Sequence, residues 1–400
     1  MLKKISEKYF SGLTKNSFLI ACASLFSDIS TEMLYPILPI YLTQYLKATG
    51  SVVGIIDGIA TATQNIVQGI SGYFSDKWQK RKPIALFGYL LSAISKPFMG
   101  LASGWPMVLT ARFSDRIGAG TRAAPRDAMI AASVTEENKG KAFGLEGIGD
   151  NLGAFIGPLL TILLFFSFQL DIHYIFYVAI IPGLLSVLMI VLVKDRGGLS
   201  RSKSTIDLHI RQFPKSYWKY IAVTAAFGVG NSSNSFLILL IKEEGFSLID
   251  TILIYAAFNL VAAIISYPAG SLSDRFGRKS LLLIAFIIFL ITYTGFAFSR
   301  SVVLTSALFV FYGLFQGVFR AVGKSFAADF VPGHLRASSV GWYSTVVGLS
   351  GLLASVIAGL LWDKVSHESV FVYGAITSVV GIISLSIVIP NSSKKDVGNT

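Results

Sequence analysis

The chain has 400 residues, of which 53% are hydrophobic and only 14% charged, with a mean hydropathy of +0.65 and a net charge of +12. A soluble chain carries about 25% charged residues, so water-soluble domains are excluded, as are a disordered chain and a disulfide-rich secreted scaffold. The lone Cys22 permits no internal disulfide or cysteine metal cluster, and His173, His209, His334 and His367 form no HExxH pair; neither metal nor cofactor is expected.

Twelve apolar stretches follow one another, each near the ~20 residues that cross a bilayer. They lie at 17–42, 51–73, 83–103, 105–124, 142–167, 173–193, 218–241, 250–272, 280–299, 301–323, 337–361 and 369–389. The N-terminus, the even-numbered loops with the span ends that adjoin them, and the C-terminus hold 27 of the 34 Lys and Arg, whereas the odd-numbered loops hold Lys47, Lys242, Arg300 and Lys364. This asymmetry places both termini on the cytoplasmic side of a multi-pass inner-membrane protein. The basic excess faces anionic lipid, and no stacking platform suggests nucleic acid. The short basic Met1–Lys15 leads directly into the first span, so it reads as part of the mature chain and not as a cleaved signal.

The longest polar stretch, 194–219, divides the chain into an N-terminal six-helix bundle at 1–193 and a C-terminal one at 220–400. The two parts repeat each other. Gly72-Tyr-Phe-Ser-Asp76-Lys77-Trp-Gln-Lys80-Arg81 is matched 198 positions later by Gly270-Ser-Leu-Ser-Asp274-Arg275-Phe-Gly277-Arg278-Lys279. The same offset takes Arg122 to Arg320 and Arg126 to Lys324. One offset recurring in separate loops marks an internal duplication, and parallel repeats of this kind place a solute cavity near the bilayer midplane.

At these residues the chain resembles the major facilitator superfamily of secondary transporters. The Gly270–Lys279 loop is similar to the family's signature, and its copy carries Gln79 where Gly277 stands. Arg116-Ile-Gly-Ala-Gly120-Thr-Arg-Ala123-Ala124 resembles the family's span 4 motif, with Ala119 in place of its Gln. Gly153-x-x-x-Gly157-Pro158 resembles the span 5 motif of antiporter members, without its downstream Gly pair. The resemblance implies an all-α integral membrane fold of twelve transmembrane helices in two pseudo-symmetric six-helix bundles. It also implies proton-coupled or facilitated transport of a small solute by alternating access.

Charges within the spans point to the chemistry. Asp28 and Glu32 share one face of span 1, with ~6 Å of rise between them. Span 3 carries Lys96, span 4 carries Arg112, Asp115 and Arg116, and span 5 carries Glu146 and Asp150. An ionised group at the bilayer centre costs ~2.5–3.5 kcal/mol even on the gentlest scale. These groups therefore line a cavity or neutralise one another. With five acids against three bases, the surplus carboxylates are candidates for carrying a proton. Arg116 is expected to pair with Asp28 or Glu32.

Asp76 and Asp274 are candidate cytoplasmic gates, with Arg122 or Arg126 as the partner of Asp76 and Arg320 as that of Asp274. For solute contact the candidates are Gln64, Gln68 and Lys96 in the first half and Asn231, Asn234, Tyr255, Asn259 and Gln316 in the second. Amides and hydroxyls there form a largely neutral wall. Pro36, Pro39, Pro158 and Pro268 should bend their spans. No nucleophile stands beside a base, so no enzymatic activity is expected, and no phosphate loop suggests ATP drive.

The expected function is secondary active export of a small organic solute by proton antiport. The alternative is a symporter importing an anionic solute such as a metal chelate, organic acid or peptide-like compound, held by Lys96, Arg112 and Arg116. The expected partners are that solute, protons and the lipid bilayer, around a monomer.

Overall fold

Helix α1 (Lys15–Glu32) opens on a reciprocal capping box, in which the Thr14 hydroxyl accepts from the Ser17 backbone N–H and the Ser17 side chain accepts from the Thr14 backbone. Pro36 and Pro39 then interrupt the ladder by removing two backbone donors. The chain turns, forms a helical turn at Leu38–Ile40 and continues as a wide π turn at Tyr41–Tyr45. The bend expected in the first span is present.

Next come α2 (Gly50–Trp78), α3 (Arg81–Gly100), α4 (Trp105–Ser133) and α5 (Lys139–Ser167). The sixth segment is split into α6 (Ile172–Val178) and α7 (Ile180–Leu192). Asp171 caps α6, and the backbone N–H and ring of His173 hold its carboxyl below the usual carboxylate range. The seventh segment is also split, into α8 (Lys215–Gly228) and α9 (Ser235–Glu243). The chain closes with α10 (Leu248–Phe276), α11 (Arg278–Phe298), α12 (Val302–Asp329), α13 (Arg336–Lys364) and α14 (His367–Val388).

This computed structural model describes residues 11–78, 80–194, 212–299, 301–332 and 335–390, and contains no strand among them. Most of the expected inter-bundle stretch lies outside the described residues. The twelve expected spans are present as helices, two of them in two pieces and the first with a broken end. Among the described residues, seven helices are long and apolar enough to cross a membrane by length and composition. The interrupted first and seventh segments and the charge-bearing α4 are not among these seven.

The duplication is visible in helix limits. Helices α2 and α10 are both 29 residues long, with ends 198 positions apart, and α5 and α13 are both 29 residues long, 197 apart. Between α10 and α11 the backbone of Gly277 takes φ 89°, which an L side chain resists. Its counterpart Gln79 lies outside the described residues.

By contacts the chain forms two units. One holds the residues up to Lys47 and those from Thr63 through the rest of the first half. The other holds Ala48–Ala62 and the second half. Helix α2 thus contributes its first turns to one unit and the remainder to the other.

In the first unit the main pairings are α1 with α5, α1 with α7, and α3 with α4. A glycine stripe allows the first of these. A Cβ on Gly153 would lie 2.7 Å from both the Asp28 Cβ and the Leu25 carbonyl, and one on Gly157 would lie 2.9 Å from the Ile29 carbonyl. Small residues at this spacing let membrane helices approach closely. Gly153→Ala is therefore expected to lower stability by about 1–3 kcal/mol through overpacking. It should also lower the melting temperature in detergent. An unchanged melting temperature would show that α1 and α5 have slack.

Ile20, Ala85, Met129, Ile130, Ala142 and Val193 form an apolar core in this unit. The second unit is held by aromatics: Phe227 stacks on Phe286 at 3.9 Å, and Phe289 stacks on Tyr293 at 3.8 Å. Outward faces are apolar, as lipid demands. Helix α7 exposes Ile181, Leu184, Leu188 and Leu192 while burying Gly183, Ser186 and Ile190.

Candidate functional site

The close packing of α1 on α5 and of α3 on α4 brings the charged side chains of the first unit together, graded from tightly to loosely held. Asp115, on α4, is fully buried. Its Oδ1 accepts from the Ser92 hydroxyl at 2.6 Å. Its Oδ2 accepts from Arg116 Nη2 at 2.5 Å and Nε at 2.8 Å, and from Arg112 Nη1 at 3.3 Å. Arg116 also donates to Gln64 Oε1 at 2.8 Å. Lys96, only 1% exposed, donates to Ser30 Oγ at 2.6 Å and Thr31 Oγ1 at 3.2 Å, tying α3 to α1.

Nearer the C-terminal end of α4, Arg126 contacts Glu146 at 2.7 Å, Asp127 at 3.0 Å and Asp150 at 3.8 Å. It also donates to Ser24 Oγ at 3.1 Å, and Ser24 donates in turn to Glu146 at 3.0 Å. Arg122 donates to Ser27 Oγ and lies over the Tyr89 ring, 4.6 Å from its centre.

Asp28 has the longest ion pair of the cluster. Its ion pair with Arg122 spans 4.0 Å, and its side chain is 30% exposed. Asp150, Glu32 and Arg126 act on it through space. Two buried polar atoms in this cluster, Arg112 Nε and Asp150 Oδ1, have no hydrogen-bond partner among the described residues. Such groups are costly unless something binds them.

Several pairings differ from those expected. Arg116 takes its own neighbour, Asp115, in place of Asp28 or Glu32, although both of those carboxylates act on it through space. Adjacency on one helix gives a two-pronged contact with no interhelical gap to cross. Arg122 and Arg126 join the acidic cluster; the side chain of Asp76, their expected partner, lies outside the described residues. The physical reason is helix length. Helix α4 continues to Ser133, well beyond the ~20 residues a bilayer requires. With these two arginines, and with Asp127 beside Arg126, the cluster holds five bases against six acids, and the apparent acid surplus shrinks from two to one.

In the second loop signature, Asp274 pairs with Arg278 at 3.5 Å, and Arg278 reaches Asp329 at 2.5 Å. Arg320, the expected partner of Asp274, is exposed and makes no ion pair with it among the described residues.

The neutral wall expected in the second half is more aromatic and less regular than its sequence suggests. The seventh span breaks between Gly228 and Ser235, where Gly230, Asn231, Ser232, Ser233 and Asn234 are poor helix formers. Asn231 accepts from the Tyr312 hydroxyl at 3.3 Å. Tyr255 is buried, with its ring 5.8 Å from that of Phe258. Asn234, Asn259 and Gln316, like Gln68 in the first unit, are partly buried.

One acid absent from the expected set stands out. Asp57, on α2, is 5% exposed and accepts hydrogen bonds from Ser233 and Ser235. Its sequence signal is the one that marks Asp28, an ionisable residue inside an apolar stretch.

Comparison with known proteins bears on these observations. The family model described as Major Facilitator Superfamily matches residues 20–265 and 220–400. The chain is 34% identical to an MFS-type transporter of Methanocaldococcus jannaschii, covering 97% of this chain and all of that one. It is 22% identical to Multidrug resistance protein 2 of Bacillus subtilis, over 96% of each. Among solved structures it is similar to the nucleoside transporter NupG, with a TM-score of 0.77 and 15% identity, covering 95% of this chain and all of that one.

Proposed function

The chain belongs to the major facilitator superfamily, and from that premise we propose that it is a proton-coupled antiporter exporting a small organic solute across the inner membrane, with both termini cytoplasmic. One observation carries this reading: the contrast between Asp115 and Asp28. Asp115 is buried and held by three side chains, so it serves to anchor Arg112 and Arg116. Asp28 is partly exposed, held by one long ion pair, and faces further carboxylates. It can exchange its arginine for a proton with little rearrangement. Arg122 and Arg126 are the counter-charges, and Glu146 and Asp150 lie on the path toward the cytoplasm.

The likeness to a relative named for multidrug resistance supports export. Symport of an anionic solute would draw on Lys96, Arg112 and Arg116. Lys96 is engaged with α1, and the two arginines share Asp115.

The test begins with a thermal-shift screen of organic cations, nucleosides and organic acids in detergent. The best hit is then followed in proteoliposomes under an imposed pH gradient. Antiport accumulates the solute when the lumen is the acidic side. Accumulation driven by acid outside would establish symport, and flux indifferent to either gradient would remove proton coupling altogether.

A further inference from the structure

Two carboxylates hold the first turns of α2 within the second unit, and they differ in how well they are satisfied. Asp363, at the end of α13, accepts from the backbone N–H groups of Gly50 and Ser51 at 2.8 Å each. That is ordinary capping of a helix N-terminus. Two turns further along α2, Asp57 Oδ2 accepts only hydroxyls, from Ser233 at 2.8 Å and from Ser235. Among the described residues no Lys or Arg pairs with it. An ionised carboxylate at membrane depth without a counter-charge is costly, and such residues mark ion pathways.

The surroundings are rich in oxygen. The Ser233 backbone N–H donates to Ser355 Oγ at 3.1 Å, and that of Ser235 donates to Ser233 Oγ at 3.1 Å. Ser355 and Ser235 are buried. The last turn of α8 is closed by N–H groups from Val229, Gly230 and Asn231, but within the break the carbonyls of Val229, Asn231 and Ser232 accept no hydrogen bond among the described residues. A Cβ on Gly54 would run into the Ser355 carbonyl, so α2 and α13 meet there backbone to backbone.

We propose that Asp57, the hydroxyls of Ser233, Ser235 and Ser355, and carbonyls of the helix break form a binding site for a sodium-sized monovalent cation. All the donors are hard oxygens, so transition metals are disfavoured. The site supplies one negative charge, so a divalent ion would leave a net positive charge buried. The serine hydroxyls now donate to Asp57, and after rotation each presents a lone pair to a cation. Broken membrane helices coordinate sodium through unwound carbonyls in other transporters. This site is independent of the charged cluster around Asp28.

The test compares melting of the full-length protein in detergent in NaCl, KCl and choline chloride at equal ionic strength. Saturating Na⁺ should raise the apparent melting temperature by about 4 °C over choline. Asp57→Asn should abolish that shift, and Ser233→Ala with Ser235→Ala should raise the Na⁺ concentration for half effect about tenfold. The double serine variant keeps the test open if Asp57→Asn fails to fold. No Na⁺-specific shift in the wild type would overturn the proposal. So would a shift that survives Asp57→Asn, or stabilisation by acid alone, equal in sodium and choline. Asp28→Asn should keep the Na⁺ shift while losing proton-driven transport. If it loses the shift as well, the cation binds at the charged cluster and the Asp57 site is refuted.

Discussion

Asp115→Asn is expected to destabilise the protein by about 3–5 kcal/mol, because it leaves two guanidinium groups buried with no counter-charge. Asp115 is the shared anion of Arg112 and Arg116, and its burial gives no water to replace it. Asn retains the size and one acceptor, so the Ser92 hydrogen bond can persist, and the loss isolates charge from packing. The measurement is the melting temperature in detergent together with the yield of folded protein. Adding Arg112→Met to Asp115→Asn should recover part of the loss, because one surplus charge is then removed. Wild-type stability in Asp115→Asn would mean that the arginines reach another anion, with Glu32 and Asp28 the nearest in electrostatic range of Arg116. Transport is then expected to keep its rate, and the division between anchoring and exchanging carboxylates would be lost.

Asp28→Asn is expected to do the opposite, leaving stability nearly unchanged and abolishing gradient-driven transport. The ion pair removed is 4.0 Å long and partly exposed, and such pairs contribute roughly 0–1 kcal/mol. Solute exchange under equal solute concentrations needs no net proton movement, so it should persist. Asp28→Glu keeps the titrating group and should retain partial coupling. Measured in proteoliposomes, the signature is a flux insensitive to the pH gradient beside intact exchange. Asp150→Asn provides the comparison, since Asp150 acts on Asp28 through space. A wild-type response to the gradient in Asp28→Asn, Glu32→Gln and their combination would remove span 1 from the coupling path.

Composition and local pattern determined much about this protein. Twelve spans, the alternation of basic residues between loops, the repeat near 198 positions and the presence of charge within the spans all follow from residue types along the chain. Each is a local or additive property, and the matched helices α2 and α10 show how closely the repeat is kept. Pairing is different, because it depends on which helix faces meet. Arg122 reads as the end of its span and Arg126 as a loop residue until α4 is seen to run on to Ser133. Arg116 has acids on α1 in electrostatic range, but the two-pronged contact with its own neighbour prevails.

Asp57 carries the same sequence signal as Asp28, yet its partners lie some 176 positions away, on a segment that only folding breaks and delivers. The run Gly230-Asn-Ser-Ser-Asn234 consists of poor helix formers, yet 218–241 reads as one continuous span, and the break appears only in the structure. What the tertiary structure alone decided is which carboxylate is locked and which is loose. That distinction rests on distance and burial, through the close approach that Gly153 and Gly157 permit between α5 and α1.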